Sequence, residues 1–281
     1  MLIAQITDLH LGFEPDNPAE DNRRRLDAVL DQLIDGPNRP DLLLATGDLT
    51  DRGDPESFAR LVAILRRCPF PVYPMLGNHD DRAAFAAAFP QVPLADGFAQ
   101  YCLSRDGLRL ILLDTLEAGR HGGSFCAVRA AWLAARLAEQ PTTPTVILMH
   151  HPPIDAGIAW MAADQGTAFT DRFAATIGGH RQIIAIWCGH LHRAVSAPWN
   201  GITVSICPAT AAQLSLDLSP IDPENPDGRP MVNDDPPGYA LHRWDGAQLV
   251  SHVDTVRPRA ALARFDDRMQ PLVRQLFAER E

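Results

Sequence analysis

Leu42-Leu43-Leu44-Ala45-Thr46-Gly47-Asp48 reads as a short buried strand that runs straight into a glycine and a carboxylate. The same arrangement recurs on either side of it. Leu2-Ile3-Ala4-Gln5-Ile6 runs into Thr7-Asp8-Leu9-His10, and Val72-Tyr73-Pro74-Met75-Leu76 runs into Gly77-Asn78-His79-Asp80. Thr145–Met149 ends in His150-His151-Pro152-Pro153, and Ile183–Trp187 is followed by Gly189-His190-Leu191-His192. A further strand is expected over Leu108–Leu113. Helical spacing fills the intervals: Leu26, Val29, Leu30, Leu33 and Ile34; Phe58, Leu61, Val62 and Leu65; Arg82 to Phe89; and Ala127 to Leu137 with Trp132 on its apolar side. Short apolar strands alternating with amphipathic helices predict an α/β sheet covered on its faces. In open α/β sheets ligands bind at the carboxyl ends of the strands, so these loops are expected to converge.

Beyond residue 192 the pattern changes. Val195, Trp199–Ile206, Gly238–Trp244 and Gln248–Val253 alternate without helices, which predicts hairpins extending a second sheet. Residues 217–237 are rich in Pro, Asp and Asn and read as a long loop, a kind of segment that is more often functional than packed. The reading is of one domain over 1–258 and a helical tail over 259–281. In the tail Leu262, Phe265, Met269, Leu272, Val273 and Leu276 recur at helical spacing and Pro271 is expected to kink the helix. The tail could dock on its own domain or on another subunit.

At 281 residues the chain can bury a large core as one unit. Its formal net charge of −10 argues against a nucleic-acid polymer, which calls for clustered Lys and Arg. A small anionic substrate stays open, because metal cations reverse the local field within a cleft. Five cysteines, an odd number with no CxxC pair, read as free thiols in a reducing compartment. The opening MLIAQITDLHLG reads as an immediate strand rather than a signal peptide, and no stretch reaches the length of a membrane span. A cytoplasmic enzyme with no membrane partner is the expectation.

Taken singly, each polar cluster has an ordinary use. Asp-x-His or Gly-Asp can cap a turn, and paired histidines before Pro-Pro can be structural. Five strand ends bearing Asp, Asn or His together are another matter, since buried groups of this kind are costly unless satisfied, as by a metal ion. Imidazole, carboxylate and amide oxygen without thiolate disfavour structural zinc and suit catalytic Fe, Mn, Zn or Co. Seven ligand-type residues, Asp8, His10, Asp48, Asn78, His150, His190 and His192, are too many for one catalytic ion and suit two that share a carboxylate.

The series Asp8-x-His10, Gly47-Asp48, Gly77-Asn78-His79-Asp80, His150 and Gly189-His190-x-His192 resembles the calcineurin-like metallophosphoesterases. TDLHLG, ATGDLTDRG, GNHDDR, MHHPP, CGHLHR and the later PPGYALHRWDG resemble more closely the branch of class III cyclic-nucleotide phosphodiesterases and glycerophosphodiesterases. The resemblance implies a four-layer α-β-β-α sandwich, two mixed sheets flanked by helices. It implies Asp8, His10 and His192 on a first metal, Asn78, His150 and His190 on a second, and Asp48 bridging them. It implies His79, with Asn78, at the substrate phosphate, and Asp80 as a catalytic residue that hydrogen-bonds His79 and orients it. The reaction expected is hydrolysis of a small phosphodiester, 3',5'-cAMP or a glycerophosphodiester, by metal-activated hydroxide, with His79 protonating or stabilising the leaving oxygen. A phosphomonoesterase or nuclease on the same site is the alternative, and a non-catalytic metal-binding interaction module a more distant one. The resemblance and the apolar tail also imply a homo-oligomer.

Other residues have plainer readings. His151 is expected to support the site or the fold, since strand geometry turns it away from the direction of His150. Asp51, Arg52 and Asp54 are read as capping the next helix. His121 is read as a surface histidine, and His180, His242 and His252 as structural. Trp160 and Met161 could line a substrate pocket. Relatives of the branch often carry a histidine just before the glutamine in Pro208-Ala209-Thr210-Ala211-Ala212-Gln213. Here that position is Ala212, which leaves the choice of substrate open.

Overall fold

The computed structural model describes residues 1–161 and 168–280. Its strands are β1 (Leu2–Ile6), β2 (Leu42–Thr46), β3 (Val72–Met75), β4 (Tyr101–Arg105), β5 (Leu108–Leu112), β6 (Thr145–Leu148), β7 (Ile183–Cys188), β8 (Val195–Trp199), β9 (Ile202–Ile206), β10 (Gln213–Leu214), β11 (Val232–Asn233), β12 (Gly238–Trp244) and β13 (Leu249–Thr255). The helices are α1 (Asp21–Asp35), α2 (Pro55–Leu65), α3 (Arg82–Ala88), α4 (Ala127–Glu139), α5 (Ala168–Ile177) and α6 (Gln270–Ala278).

Two mixed sheets form the centre. The first has the order β13-β12-β1-β2-β3, and the second β4-β5-β6-β7-β9-β8. β1, β2 and β3 are parallel, as are β5, β6, β7 and β9; β12 and β13 in one sheet, and β4 and β8 in the other, run antiparallel to their neighbours. Two hairpins follow residue 192, but they do not extend the same sheet. β8–β9 joins the second sheet beside β7, whereas β12–β13 returns to the first beside β1, pairing Leu2 with Arg243 and Gln5 with Ala240. Period-two alternation marks a strand face but carries no information about which sheet receives it.

Alternation decides which side of each strand faces which layer. In β5, Leu110 and Leu112 pack in the core that includes the first sheet, while Ile111 packs with Leu133 and Leu137 of α4 and Phe173 of α5. α1 buries Leu26, Val29, Leu30 and Leu33 on the outer side of the first sheet, a stripe at the 3.6-residue period. α2 begins where Asp54 accepts a hydrogen bond from Ser57 N at 2.8 Å and Pro55 opens the first turn. Asp81 caps α3 in the same way through Ala84 N. Between the sheets a polar seam is fully paired. The Gln5 amide donates to Thr46 Oγ1 and Cys188 O, its Oε1 lies 3.1 Å from His242 Nε2, and the His242 ring stacks on Trp187 at 3.6 Å.

The loop regions depart from the sequence pattern in two places. The segment around 217–237 carries a short ribbon, with Gln213 opposite Asn233 and Leu214 opposite Val232. The tail is helical only from Gln270, and Pro271 sits in the first turn instead of kinking an existing helix. A missing N–H costs nothing there, because first-turn amides have no intrahelical partner. The tail's Leu262, Phe265, Leu272, Leu276 and Phe277 are exposed. All five thiols are free, and among the described residues no helix is long and apolar enough to cross a membrane.

One buried ion pair locks two site loops together. The Arg82 guanidinium donates Nε to Asp114 Oδ2 at 2.7 Å and Nη2 to Asp114 Oδ1 at 2.9 Å, while the same carboxylate accepts Ala99 N and Leu116 N. Arg129 Nη1 lies 3.8 Å from it. Asp114→Ala strands two guanidinium groups, one of them buried, and is expected to lower unfolding free energy by about 3 kcal/mol. Denaturant titration checks this as a lower midpoint at unchanged slope.

Candidate metal centre

The five strand-end loops meet at one end of the two sheets, and hydrogen bonds between their backbones hold them there. Asp8 N donates to Gly47 O, His10 N to Asp48 O, Gly189 N to His150 O, and Ala211 N to Asp8 O. Asp8, His10, Asp48, His190 and His192 all adopt positive φ, between 45° and 72°. Side chains other than glycine reach this left-handed region only at a cost of order 1–3 kcal/mol each, so the surrounding bonds hold five strained residues in place.

Two glycines permit the approach of one sheet's loops to the other's. A Cβ on Gly47, at φ +96°, would lie 2.3 Å from His150 Nδ1. A Cβ on Gly189 would lie 2.0 Å from Thr7 Oγ1. Close backbone approach therefore accounts for glycine at both.

The side chains form two groups that share one residue. Asp8, His10, Asp48 and His192 bring one ligand atom each within 4.8 Å of one another, and so do Asp48, His150 and His190. His192 Nε2 is 3.3 Å from Asp8 Oδ1, His150 Nε2 is 3.3 Å from Asp48 Oδ2, and His10 Nε2 is 3.6 Å from Asp48 Oδ2. Asn78 Oδ1 lies 3.0 Å from His190 Nδ1. Asp8, Asp48 and His150 are almost wholly removed from solvent.

The outward nitrogens show which way the rings are turned. His150 Nδ1 donates to Thr46 O at 2.9 Å, His192 Nδ1 to Ala212 O at 2.8 Å, and His10 Nδ1 pairs with Asp51 Oδ1 at 3.2 Å. With the proton on Nδ1, each Nε2 is a bare lone pair pointing inward. His10 Nε2 and His192 Nε2 then face each other at 3.2 Å, and His150 Nε2 is buried with no hydrogen-bond partner. Inward-turned lone pairs beside two carboxylates are what cations need, so the donor set fits divalent ions.

Electrostatics agree. Burial pushes the Asp48 carboxyl up, but His150, His10 and His79 outweigh it and hold it well below the usual carboxylate range. Burial pushes His150 down, yet Asp48 and Asp8 carry it up to about 9, so a proton occupies this position when no cation does. His151 is held well below its ordinary value by burial and by His190 and His150, and stays neutral.

Every residue assigned to the metals by resemblance is in this cluster, and the sequence-based roles of its neighbours need revision. Asp80 does not touch the His79 ring. Its carboxylate accepts Leu49 N, Thr50 N and Gly77 N at 2.9–3.1 Å and the Thr50 hydroxyl at 3.0 Å. Occupied by those donors, it ties the Asp48 loop to the Asn78 loop. His79 is oriented instead by Asp51: its Nδ1 donates to Asp51 O at 2.9 Å, and its amide donates to Asp48 Oδ1. Asp51 therefore supports His10 and His79 rather than capping α2, a task that Asp54 performs. A carboxylate three residues past Asp48 was the available signal, because ligand histidines commonly take a carboxylate partner on the second nitrogen. His121 is exposed but lines the cleft, with Nδ1 3.4 Å from Asn78 Nδ2 and its ring 5.7 Å from that of His79. His151 packs behind the site against Thr115 Oγ1 and His121 O, in keeping with a supporting role. His242 is structural, as expected. Trp160 and Met161 line the cleft.

Comparison with known proteins completes the picture. The chain is 34% identical over 242 residues to a probable cyclic nucleotide phosphodiesterase of Rhodopseudomonas palustris, covering 84% of each chain. It is 30% identical over 282 residues to a glycerophosphodiester phosphodiesterase of Enterobacter lignolyticus, covering 95% of each. Its fold matches a dimetal phosphatase from Danio rerio with a TM-score of 0.66 at 14% identity, over 91% of this chain and 96% of that one. Residues 1–194 match the family model described as calcineurin-like phosphoesterase, and the chain belongs to that family.

Proposed function

We propose that the protein hydrolyses a small phosphodiester, a 3',5'-cyclic nucleotide such as cAMP or a glycerophosphodiester, at a centre of two metal ions. The observation that carries this reading is the pair of ligand groups sharing Asp48, with His150 Nε2 buried and unpaired between the two carboxylates. Asp8, His10 and His192 would hold one ion, Asn78, His150 and His190 the other, and Asp48 both. The ions would be drawn from Fe, Mn, Zn and Co, which such N/O donors accept. When bound, two such ions supply Lewis acidity toward the phosphate and acidify a water to near neutrality.

The chain's own groups do the rest. His79, pinned through Nδ1, keeps Nε2 free at the cleft, where it can hold a proton for the leaving oxygen. Asp51 fixes the tautomer of His79 through its carbonyl and faces His10 through its carboxylate. Asp80 acts at a distance by holding the loops of Asp48 and Asn78 in register. The relatives' names favour a diester over a monoester. A nuclease is disfavoured because no Arg or Lys lines the cleft among the described residues.

Three outcomes test the reading. Metal-stripped protein is expected to bind two equivalents of Mn, Zn or Co by elemental analysis and to regain hydrolysis of bis(p-nitrophenyl) phosphate. Asp48→Ala should lose both properties, and a full metal complement with normal turnover in that variant would sink the shared-carboxylate reading. His79→Ala is expected to retain its metals and lose about 10²–10⁴-fold in kcat, the usual worth of a general acid.

The third outcome is a pH dependence with a fixed sign. In metal-free protein His150 is protonated below about 9, so a cation must displace that proton. Metal affinity should therefore rise with pH between 6 and 9, with protons released on binding. Calorimetry in buffers of different ionisation enthalpy measures the release, and a pH-independent affinity would count against His150 as a ligand.

A further inference from the structure

The cleft encloses about 540 Å³, a size suited to one small organic ligand, and its two ends differ in chemistry. One end is the metal centre with His79 and Asn78. The other is a wall of Trp160, Met161, Phe169, Leu214 and Val232. Three separate segments build it. Trp160 and Met161 come from the 3-10 turn Ala159–Met161, Phe169 from α5, and Leu214 and Val232 stand directly opposite each other across the β10–β11 ribbon. The segments also touch outside the cleft. Leu218 Cδ2 lies 3.5 Å from where a Cβ on Gly157 would sit, so the chain leaving β10 reaches the turn that leads to Trp160.

This wall, among the described residues, presents no guanidinium, carboxylate, amide or hydroxyl to the cavity except the indole N–H of Trp160. A polyol pressed against it would lose water from several hydroxyls without gaining partners, a cost of order 1–3 kcal/mol for each group left unpaired. A second phosphate would meet no cation there. A flat apolar group instead gains the indole face and the adaptable Met161 thioether.

We infer that Trp160, Met161 and the Leu214–Val232 pair are specificity-determining. They receive an organic ester group of the diester and select a flat, apolar or aromatic one over a short polyol or alkyl group. The inference rests on the phosphodiesterase reading above and extends it to the substrate's organic part.

The test uses unreactive diesters as competitive inhibitors of bis(p-nitrophenyl) phosphate hydrolysis by the metal-loaded protein. Dibenzyl phosphate, diethyl phosphate and glycerophosphoglycerol share the anionic centre and differ only in what would meet the wall. Wild type is expected to bind dibenzyl phosphate at least about ten-fold more tightly than either of the others, the lower end of what apolar pocket contacts discriminate. Trp160→Ala should bring the ratio of inhibition constants toward one. Val232→Asn, on a half-exposed ribbon where folding is not at stake, should reduce it too. Equal inhibition by all three in wild type, or variants that weaken all three alike, would overturn the inference and leave the phosphodiesterase reading standing. A metal-loaded wild type that does not turn over the chromogenic diester would overturn the phosphodiesterase reading itself, and this inference with it.

Discussion

Three imidazole lone pairs and two carboxylates turned toward one buried volume are the constraint on which the site depends. Groups of like polarity repel unless something positive lies among them. The distances of 3.2–3.7 Å between His10, His192, His150, Asp8 and Asp48 are those of ligands waiting for a common partner, not of groups satisfying one another. Everything around them serves to keep that arrangement from relaxing. The outward nitrogens of His10, His150 and His192 are each engaged, so no ring can rotate to pair its inner nitrogen without losing a bond already made. The positive φ angles of five site residues are a second cost, offset by the inter-loop backbone bonds.

The parts of this site that were legible in the sequence were those in which residue type carries the chemistry. A ligand must be His, Asp or Asn, and its place at the end of a buried strand follows from the apolar run before it. All seven ligand candidates could be read in that way. The supporting contacts were less visible because backbone atoms make many of them. His150, His192 and His79 are oriented by the carbonyls of Thr46, Ala212 and Asp51, and any residue can supply a carbonyl. Ala212 illustrates the point: the missing side chain drew notice, while the carbonyl beneath it holds a ligand. Asp80 misled for a related reason. Adjacency to His79 suggested contact, but the turn sends the carboxylate to the amides of the neighbouring loop.

The fold was legible to a similar depth. Strands buried on both faces stood out as unbroken apolar runs, and helices by their stripes. The final strands alternate apolar and polar, a pattern that fixes a face and leaves the receiving sheet open. β12 lies beside β1 because its Tyr239, Leu241 and Trp244 complete the core under the first sheet while His242 meets Gln5 and Trp187 between the sheets. That choice depends on residues more than two hundred positions apart, beyond the reach of any local pattern.

The placement of β12 bears directly on the chemistry. Asp8 and Asp48 belong to loops of the first sheet, while His150, His190 and His192 belong to loops of the second. No single sheet carries a complete ligand group, so the relative position of the two sheets sets every distance in the centre. Gly47 against His150 and Gly189 against Thr7 fix that separation at the site. The paired Gln5, Thr46, Cys188 and His242 seam fixes it a few residues below. A close-packed interior transmits small shifts rather than absorbing them. Residues of the seam that touch no ligand therefore act on the metal centre as surely as those that orient its histidines, and packing between the sheets is part of the catalytic geometry.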